Sequence, residues 1–336
     1  MRETMNHLLG GQSLTREAAE VAMARLVDGQ MPPEQVAGFL IALRLKKETI
    51  EEISGFVDCL RKLSIQVQSP SDDCMDVCGT GGDGSGTFNV SSTVAFVLAA
   101  AGQPVAKHGN RSVSSRSGSF DVVEALGLRF ETDPVEAARC LKRFNLGLLF
   151  APAFHPSLKA VSQIRRNLGV YTVFNALGPL LNPAQVKRQL VGVYSPVLLE
   201  MHAQVLRLQG STEAMVVHGD DGLDEISLCA PTQVAHLREG RIDRYVLSPE
   251  EFGFKRTDSA DLQGGDAQDN ARIIRAILGG ERGPKRDLVL MNASAALRVG
   301  GKVRDFREGV RLAEDAIDSG RALCLITEMR ERGEGR

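Results

Sequence analysis

Four short stretches hold most of the residues able to do chemistry. In the first, Gly79, Gly81, Gly82, Gly84 and Gly86 alternate with Thr80, Asp83, Ser85 and Thr87, and Asn89, Ser91 and Ser92 follow. Glycine permits tight and left-handed turns, so the backbone N–H groups of such a loop can converge on an anion, and a helix starting near Ser91 would add its positive end. The chemistry suggested is a phosphate or diphosphate cradle. The loop lacks the Gly-Lys-Ser or Gly-Lys-Thr ending of a Walker loop and the full context of a dinucleotide fingerprint. A flexible surface loop is the alternative, weakened by a position between an apparent strand and an apolar helix, where open α/β folds bind ligands.

The second stretch, KHGNRSVSSRSGS from Lys107 to Ser119, combines Lys107, Arg111 and Arg116 with Asn110, Ser114, Ser115, Ser117 and Ser119. A compact ammonium, forked guanidinium donors and short hydrogen-bonding groups suit an oxygen-rich anion, while a solvated polar turn would use the same residues to cap its own backbone. The third, VVHGDDGLDEIS, places Asp224 and Glu225 next to each other beyond Asp220 and Asp221. Hard carboxylate oxygens suit magnesium bridged to substrate phosphates, though four acids around two glycines also describe a solvated turn. The fourth runs from Phe154, His155 and Pro156 through Arg165 and Arg166 to FNALGPLLNP. An arginine there can pair with a planar carboxylate and the apolar residues can receive an aromatic ring. His155 can be an acid, a base, a hydrogen-bond donor or a packed imidazole.

These stretches need elements to hold them. The chain has 336 residues, enough for one or two domains, and 40 Lys and Arg against 42 Asp and Glu give a net charge of -2. No global field therefore draws it to nucleic acid or an anionic membrane, and aromatics at 5% with no tryptophan disfavour a base-stacking platform. The six cysteines are too sparse for a disulfide scaffold, and nothing beside Cys74 and Cys78 completes a zinc cluster. The N-terminal residues show no signal-peptide core and no run is long enough to span a bilayer, which predicts a cytoplasmic protein. His7, His202, His218 and His236 are isolated, and no serine elbow supports a hydrolase.

Residues 1–70 read as helices. A capping box at Thr49 and Glu52 precedes Ile53, Phe56, Val57 and Leu60 on one face, and Pro32 and Pro33 open a helix with Val36, Phe39, Leu40 and Leu43 inward. Beyond residue 70, extended segments at 75–77, 105–107, 214–217, 245–247 and 287–290 are separated by helical stretches such as SFDVVEALG and DNARIIRAILG, with a helix from about Ser91. That alternation predicts an α/β domain with a partly parallel sheet over 71–336. The charged tail EMRERGEGR is expected to fray.

Taken in order, GTGGDGSGTFNVSST, KHGNRSVSSRSGS, FHPSLK, RRNLG, FNALGPLLNP and DGLDEIS resemble the anthranilate phosphoribosyltransferase family over nearly the whole chain. The resemblance implies a homodimer of a small helical domain and a larger α/β domain of the nucleoside-phosphorylase-like phosphoribosyltransferase fold, with part of 165–185 returning to the helical unit. It implies transfer of the phosphoribosyl group of 5-phosphoribosyl 1-diphosphate to anthranilate in tryptophan biosynthesis. Nucleophile and leaving group would take opposite faces of the sugar, with inversion through an oxocarbenium-like transition state. Carried over by motif, Gly79, Gly82, Asp83, Thr87, Asn89, Ser91 and Ser92 would bind the phosphoribosyl diphosphate. So would Lys107, His108, Gly109, Asn110, Arg111, Ser112, Val113, Ser114, Ser115 and Ser119. Gly79, Asn110, His155 and Arg165 would meet anthranilate; Ser91, Asp224 and Glu225 would serve two magnesium ions; and Lys107, Arg165 and His155 would be the catalytic residues.

Two positions depart from the family pattern. Ser92 stands where threonine is common and Arg116 where lysine is frequent, keeping the hydroxyl and the charge respectively. Two other functions stay open: a pyrimidine-nucleoside phosphorylase, sharing the fold but using inorganic phosphate, and a noncatalytic relative that binds nucleic acid. KHGNR and the Arg165 region speak against the first, the near-neutral charge and the Asp224-Glu225 pair against the second.

Overall fold

The computed structural model describes residues 1–112 and 116–334; Val113, Ser114 and Ser115 lie outside the described residues. The chain opens with four helices, α1 (Arg2–Leu9), α2 (Arg16–Val27), α3 (Pro33–Lys46) and α4 (Ile50–Lys62). Pro33 occupies the first turn of α3, where its missing N–H costs nothing. The capping box of α4 forms: Glu52 N donates to Thr49 Oγ1 at 3.3 Å and Thr49 N to Glu52 Oε2 at 2.9 Å. Glu52 is fully buried, and it also accepts from Leu14 N and Lys46 Nζ at 2.9 and 2.8 Å, so one paired carboxylate joins three parts of the bundle. Gly55 sets the approach of α2 and α4, since a Cβ there would lie 2.1 Å from the Arg16 carbonyl oxygen.

The second part alternates β1 (Met75–Gly79), α5 (Val90–Ala100), β2 (Val105–Gly109), α6 (Ser119–Ala125), α7 (Pro134–Phe144), β3 (Leu146–Phe150), α8 (Ala151–Phe154), α9 (Lys159–Leu168), α10 (Val173–Leu177) and β4 (Arg188–Gly192). It continues with α11 (Val197–Leu208), β5 (Glu213–Gly219), β6 (Thr232–Arg238), β7 (Arg241–Leu247) and α12 (Pro249–Phe252). Helices α13 (Ala267–Leu278), α14 (Pro284–Val299), α15 (Phe306–Asp318) and α16 (Arg321–Glu334) close the chain. The strands form one sheet in the order β3-β2-β1-β4-β5-β6-β7, parallel from β3 to β5 and antiparallel beyond. One large apolar core lies between the sheet and α5, α13, α14, α15 and α16. A second joins α2, α3 and α4 to α10 and α11, and α9 packs on α2 and α3.

Two features place the site. The strand order reverses between β1 and β4, and in open α/β sheets the crevice beyond the carboxyl ends of the strands at such a point receives ligands. The pair Gly79 and Gly192 ends those two strands in register.

Two expectations are corrected. Residues 287–290 lie inside α14, a helix buried on almost every side; its apolar run has no amphipathic period and mimics a buried strand. The tail does not fray at Glu328, because Met329 is buried and Arg332 donates to Glu131 and Glu136 at 2.8 and 2.9 Å, which holds α16 helical to Glu334.

Candidate active site

The glycine loop leaves β1 at Gly79 and reaches α5 with Gly81, Gly82, Gly84 and Gly86 all at positive φ, a backbone shape other residues adopt only with strain. Asp224 lies across the ends of β1 and β4. A Cβ on Gly79 would sit 2.4 Å from Asp224 Oδ2, and one on Gly192 would fall 1.5 Å from the Asp224 carbonyl oxygen. Only glycine fits either place. Gly81 N donates to Asp224 Oδ2 at 2.7 Å, so one of the loop's anion-seeking N–H groups is met by the chain's own carboxylate. Asp83 closes the loop by accepting from Ser85 N through Oδ1 at 3.3 Å, and Thr87 hydroxyl meets that of Ser85 at 3.1 Å.

Glu225 is buried and accepts from Ser91 N in the first turn of α5 at 3.1 Å, a favourable end of the helix for an anion. Burial raises the Asp224 and Glu225 carboxyls above their ordinary range; Asp83 raises Asp224 further, and Asp224 does the same to Glu225. Below them Lys107 is 2% exposed, its Nζ donating to the Val77 carbonyl at 2.8 Å and Ser91 Oγ at 3.2 Å. Burial lowers the Lys107 ammonium, while Asp76, Cys78 and Glu225 oppose that fall. Lys107 is therefore a cation set into the floor, tying β1 to the start of α5.

The polar segment after β2 folds back on α6. Ser112 N and Gly118 N both donate to Asp121 Oδ2 at 2.9 Å, and Ser119 Oγ donates to the Asn110 carbonyl at 3.1 Å. Gly109 makes room, since a Cβ would stand 2.4 Å from Ser119 Oγ. Asn110 Oδ1 accepts from Arg111 N at 2.7 Å, and the Arg111 guanidinium pairs with Glu124 at 2.6 Å. Asn89 bridges the first segment to the second and to α13: its Nδ2 donates to the Ser117 carbonyl at 3.3 Å and its Oδ1 accepts from Asn270 at 3.0 Å. Ser92 is buried with no hydrogen-bond partner for its hydroxyl among the described residues.

His108, on β2, and His155, after α8, come together with ring centroids 5.4 Å apart. Burial pushes His155 down to about 4 and His108 well below its ordinary value, so both imidazoles are neutral at pH 7. His155 Nε2 lies 2.8 Å from the Leu181 carbonyl oxygen and must carry the proton; Nδ1, buried and without a partner among the described residues, keeps its lone pair. His108 Nε2 likewise has no partner among the described residues. Arg165, near the end of α9, is half-buried with its guanidinium 4.9 Å over the Phe174 ring and has no carboxylate partner among the described residues. Burial lowers it, though not enough to discharge a guanidinium.

Several residues that shape the site carried no signal in the sequence. Asp76 is fully buried and raised by burial; it accepts from Asn182 Nδ2 at 2.7 Å and His108 N at 3.3 Å, holding β1, β2 and the FNALGPLLNP segment together. Gly192 is one glycine in an apolar strand, and only the tertiary fit against Asp224 reveals it. Tyr171 donates from its hydroxyl to the Gly82 carbonyl at 2.8 Å and joins the segment after α9 to the glycine loop.

Comparison with known proteins fits this geometry. Residues 2–64 match the helical bundle domain of the glycosyl transferase family and residues 71–323 its a/b domain. Over 331 residues, 98% of this chain and 97% of the relative, the chain is 47% identical to the anthranilate phosphoribosyltransferase of Symbiobacterium thermophilum. The chain belongs to the anthranilate phosphoribosyltransferase family. Among solved members of that family, the Thermus thermophilus structure superposes with a TM-score of 0.91 at 39% identity, covering 97% of this chain and 98% of that one. The Saccharomyces cerevisiae structure in complex with PRPP and Mg reaches 0.91 at 30% identity, covering 99% and 97%. The fold class is thus that of anthranilate phosphoribosyltransferases, a helical bundle followed by an α/β domain. No described helix is long and apolar enough to cross a membrane.

Proposed function

We propose that this chain transfers the 5-phosphoribosyl group of 5-phosphoribosyl 1-diphosphate to the amino nitrogen of anthranilate, releasing diphosphate, in tryptophan biosynthesis. The observation that carries the reading is Asp224 seated over the strand-order reversal, beside a glycine loop that Tyr171 joins to the segment bearing Arg165. A candidate anion cradle is thereby tied by one hydrogen bond to the segment that carries the candidate carboxylate receptor.

Magnesium fits the donors present. Among the described residues no group of three or more His, Cys, Asp or Glu is placed to hold an ion alone, and magnesium commonly keeps its waters and binds through one or two carboxylates and substrate phosphates. Asp224 and Glu225 are that pair, both raised by burial, Asp224 further by Asp83 and Glu225 further by Asp224. With Ser91 they would hold the two ions, and bound magnesium would supply charge neutralisation to the departing diphosphate.

The chain's own residues do the rest. Gly79, Gly82, Asp83, Thr87 and Asn89 shape the diphosphate loop, and Lys107 adds a fixed positive charge beneath it. The residues from His108 to Ser115, with Ser119, would meet the ribose and its phosphate. Arg165 pairs with the anthranilate carboxylate, and His155 Nδ1, holding a lone pair, accepts from the amine N–H. An aromatic amine already carries its nucleophilic lone pair, so no base is required before attack. Attack opposite the leaving diphosphate forms the N–C1 bond as the C1–O bond breaks, inverting C1 as oxocarbenium-like charge builds on the sugar; the resulting ammonium then gives up one proton to solvent, and positioning and electrostatics provide the acceleration.

The same reading divides the chain near residue 70, with part of 165–185 returning to the helical unit, and makes the protein a cytoplasmic homodimer. Purified protein mixed with anthranilate, phosphoribosyl diphosphate and magnesium should consume anthranilate fluorescence and release diphosphate in equal amounts. Omitting any one component should stop both. Anthranilate left unchanged at every magnesium concentration would sink the reading.

A further inference from the structure

The glycine loop is held from outside by two tyrosines. Tyr171 and Tyr194 stack with ring centroids 5.3 Å apart and planes 13° from parallel. The Tyr171 hydroxyl donates to the Gly82 carbonyl at 2.8 Å, and Tyr194 N donates to Thr80 Oγ1 at 2.9 Å. The pair thus grips the loop at residues 80 and 82, on either side of Gly81, whose N–H faces Asp224. Gly82 sits at φ 78°, and a Cβ there would lie 2.5 Å from the Tyr171 hydroxyl, so the contact leaves no room for a side chain. Both rings are half-buried. Tyr171 lies six residues beyond Arg165 and Tyr194 two beyond Gly192, so the brace links the acceptor segment to the end of β4 through the loop.

The geometry points to Tyr171 as a positioning residue for the diphosphate: its phenol fixes the Gly82 peptide, and hence the direction of the adjoining N–H groups, before the ligand arrives. The inference rests on the reading of the glycine loop as the diphosphate cradle. A loop of glycines is entropically costly to order, and a preset loop avoids that loss on binding. The phenol acts through the loop and need not touch the substrate.

Calorimetric titration with magnesium diphosphate compares the full-length protein with Tyr171→Phe, which keeps the stack and loses the hydroxyl, and Tyr171→Leu, which loses both. The Kd should rise about three- to tenfold for Tyr171→Phe, the worth of one neutral hydrogen bond, and further for Tyr171→Leu. In steady state the KM for phosphoribosyl diphosphate should rise by the same factor, with the KM for anthranilate and kcat changing by less than about twofold. An unchanged diphosphate Kd in Tyr171→Phe would overturn the inference. So would equal rises in both KM values with a lowered unfolding midpoint, which is what a general loosening of the fold produces. Turnover by the unaltered protein tests the functional reading separately, since diphosphate affinity can be measured whatever the acceptor is.

Discussion

On the diphosphate side of the crevice Asp83, Asp224 and Glu225 crowd together above the buried Lys107, whereas the acceptor side holds the half-buried Arg165 guanidinium and the neutral His155 imidazole. Both sides are read as receiving an anion, yet one presents negative charge and the other positive. The difference follows from charge number. The magnesium proposed to accompany the diphosphate would supply positive charge, so the site can offer hard carboxylate oxygens beside its backbone N–H groups. A monocarboxylate needs one forked cation, and a neutral histidine can line the aromatic ring without adding charge.

The strongest way to break this comparison is to neutralise the crowded side. Asp224→Asn with Glu225→Gln keeps shape and removes both anions; turnover should fall by about three orders of magnitude, and added magnesium should not restore it. Steady-state rates across a magnesium titration check this, and near-normal rates would refute the metal role. Stability should move the other way. Burial raises both carboxyls in the folded chain, so the native protein binds more protons than the unfolded one, and stability falls as pH rises above the ordinary carboxylate range. Without ligand, the double variant should unfold at higher urea than its parent at pH 8.

The acceptor side breaks more selectively. Arg165→Ala should lower kcat/KM for anthranilate by about 10- to 100-fold, the range for a charge-assisted hydrogen bond, with a much smaller change for phosphoribosyl diphosphate. Kinetics with each substrate varied in turn separates the two, and equal losses would point to a folding defect.

His155 gives a pH signature that the diphosphate side lacks. Its folded value of about 4 lies below the ordinary 6.5, so the unfolded chain takes up a proton that the native chain refuses, and stability is lost as pH falls from 6.5 towards 4. His155→Gln should make that acid limb shallower by up to about 1.4 kcal/mol per pH unit, whatever it does to stability at pH 7. Urea unfolding at pH 7, 6 and 5 measures the slope; an unchanged slope would mean that His155 is protonated in the native protein.

The two sides were also unequally legible in the sequence. Gly79 to Thr87 read as a candidate anion loop with a flexible surface loop as the alternative, and the helix caps at Thr49 and Pro33 are local enough to read. The Asp224-Glu225 pair was visible as chemistry, but its seat over Gly79 and Gly192 belongs to tertiary packing. Lys107 reads in the sequence as a cation for the ligand, but its hydrogen bonds to Val77 and Ser91 depend on which face of β2 it occupies and no local pattern records them. The meeting of His108 and His155, one from each side, joins residues 47 positions apart and no local pattern records it. The strands β3, β4 and β6 were likewise silent, and 287–290 misled because a helix buried all round loses its period.

Arg111 decides whether the comparison holds at the rim, where sequence alone leaves it either a phosphate ligand or a brace for its own segment. In the fold its guanidinium pairs with Glu124 at 2.6 Å and lies about 6 Å from the Phe130 and Phe150 rings. Both partners are about half exposed, so the pair contributes less than about 1 kcal/mol, and Glu124→Gln should shift stability by no more than that, with the shift shrinking at high salt. If Arg111 serves only to hold its segment, Arg111→Ala and Glu124→Gln should raise the KM for phosphoribosyl diphosphate equally and slightly. If instead the guanidinium swings onto a phosphate when ligand arrives, Arg111→Ala should cost far more, and Glu124→Gln, by releasing the arginine, should lower the KM. Measuring both variants at two salt concentrations distinguishes a brace from a ligand and fixes how much positive charge the diphosphate side presents.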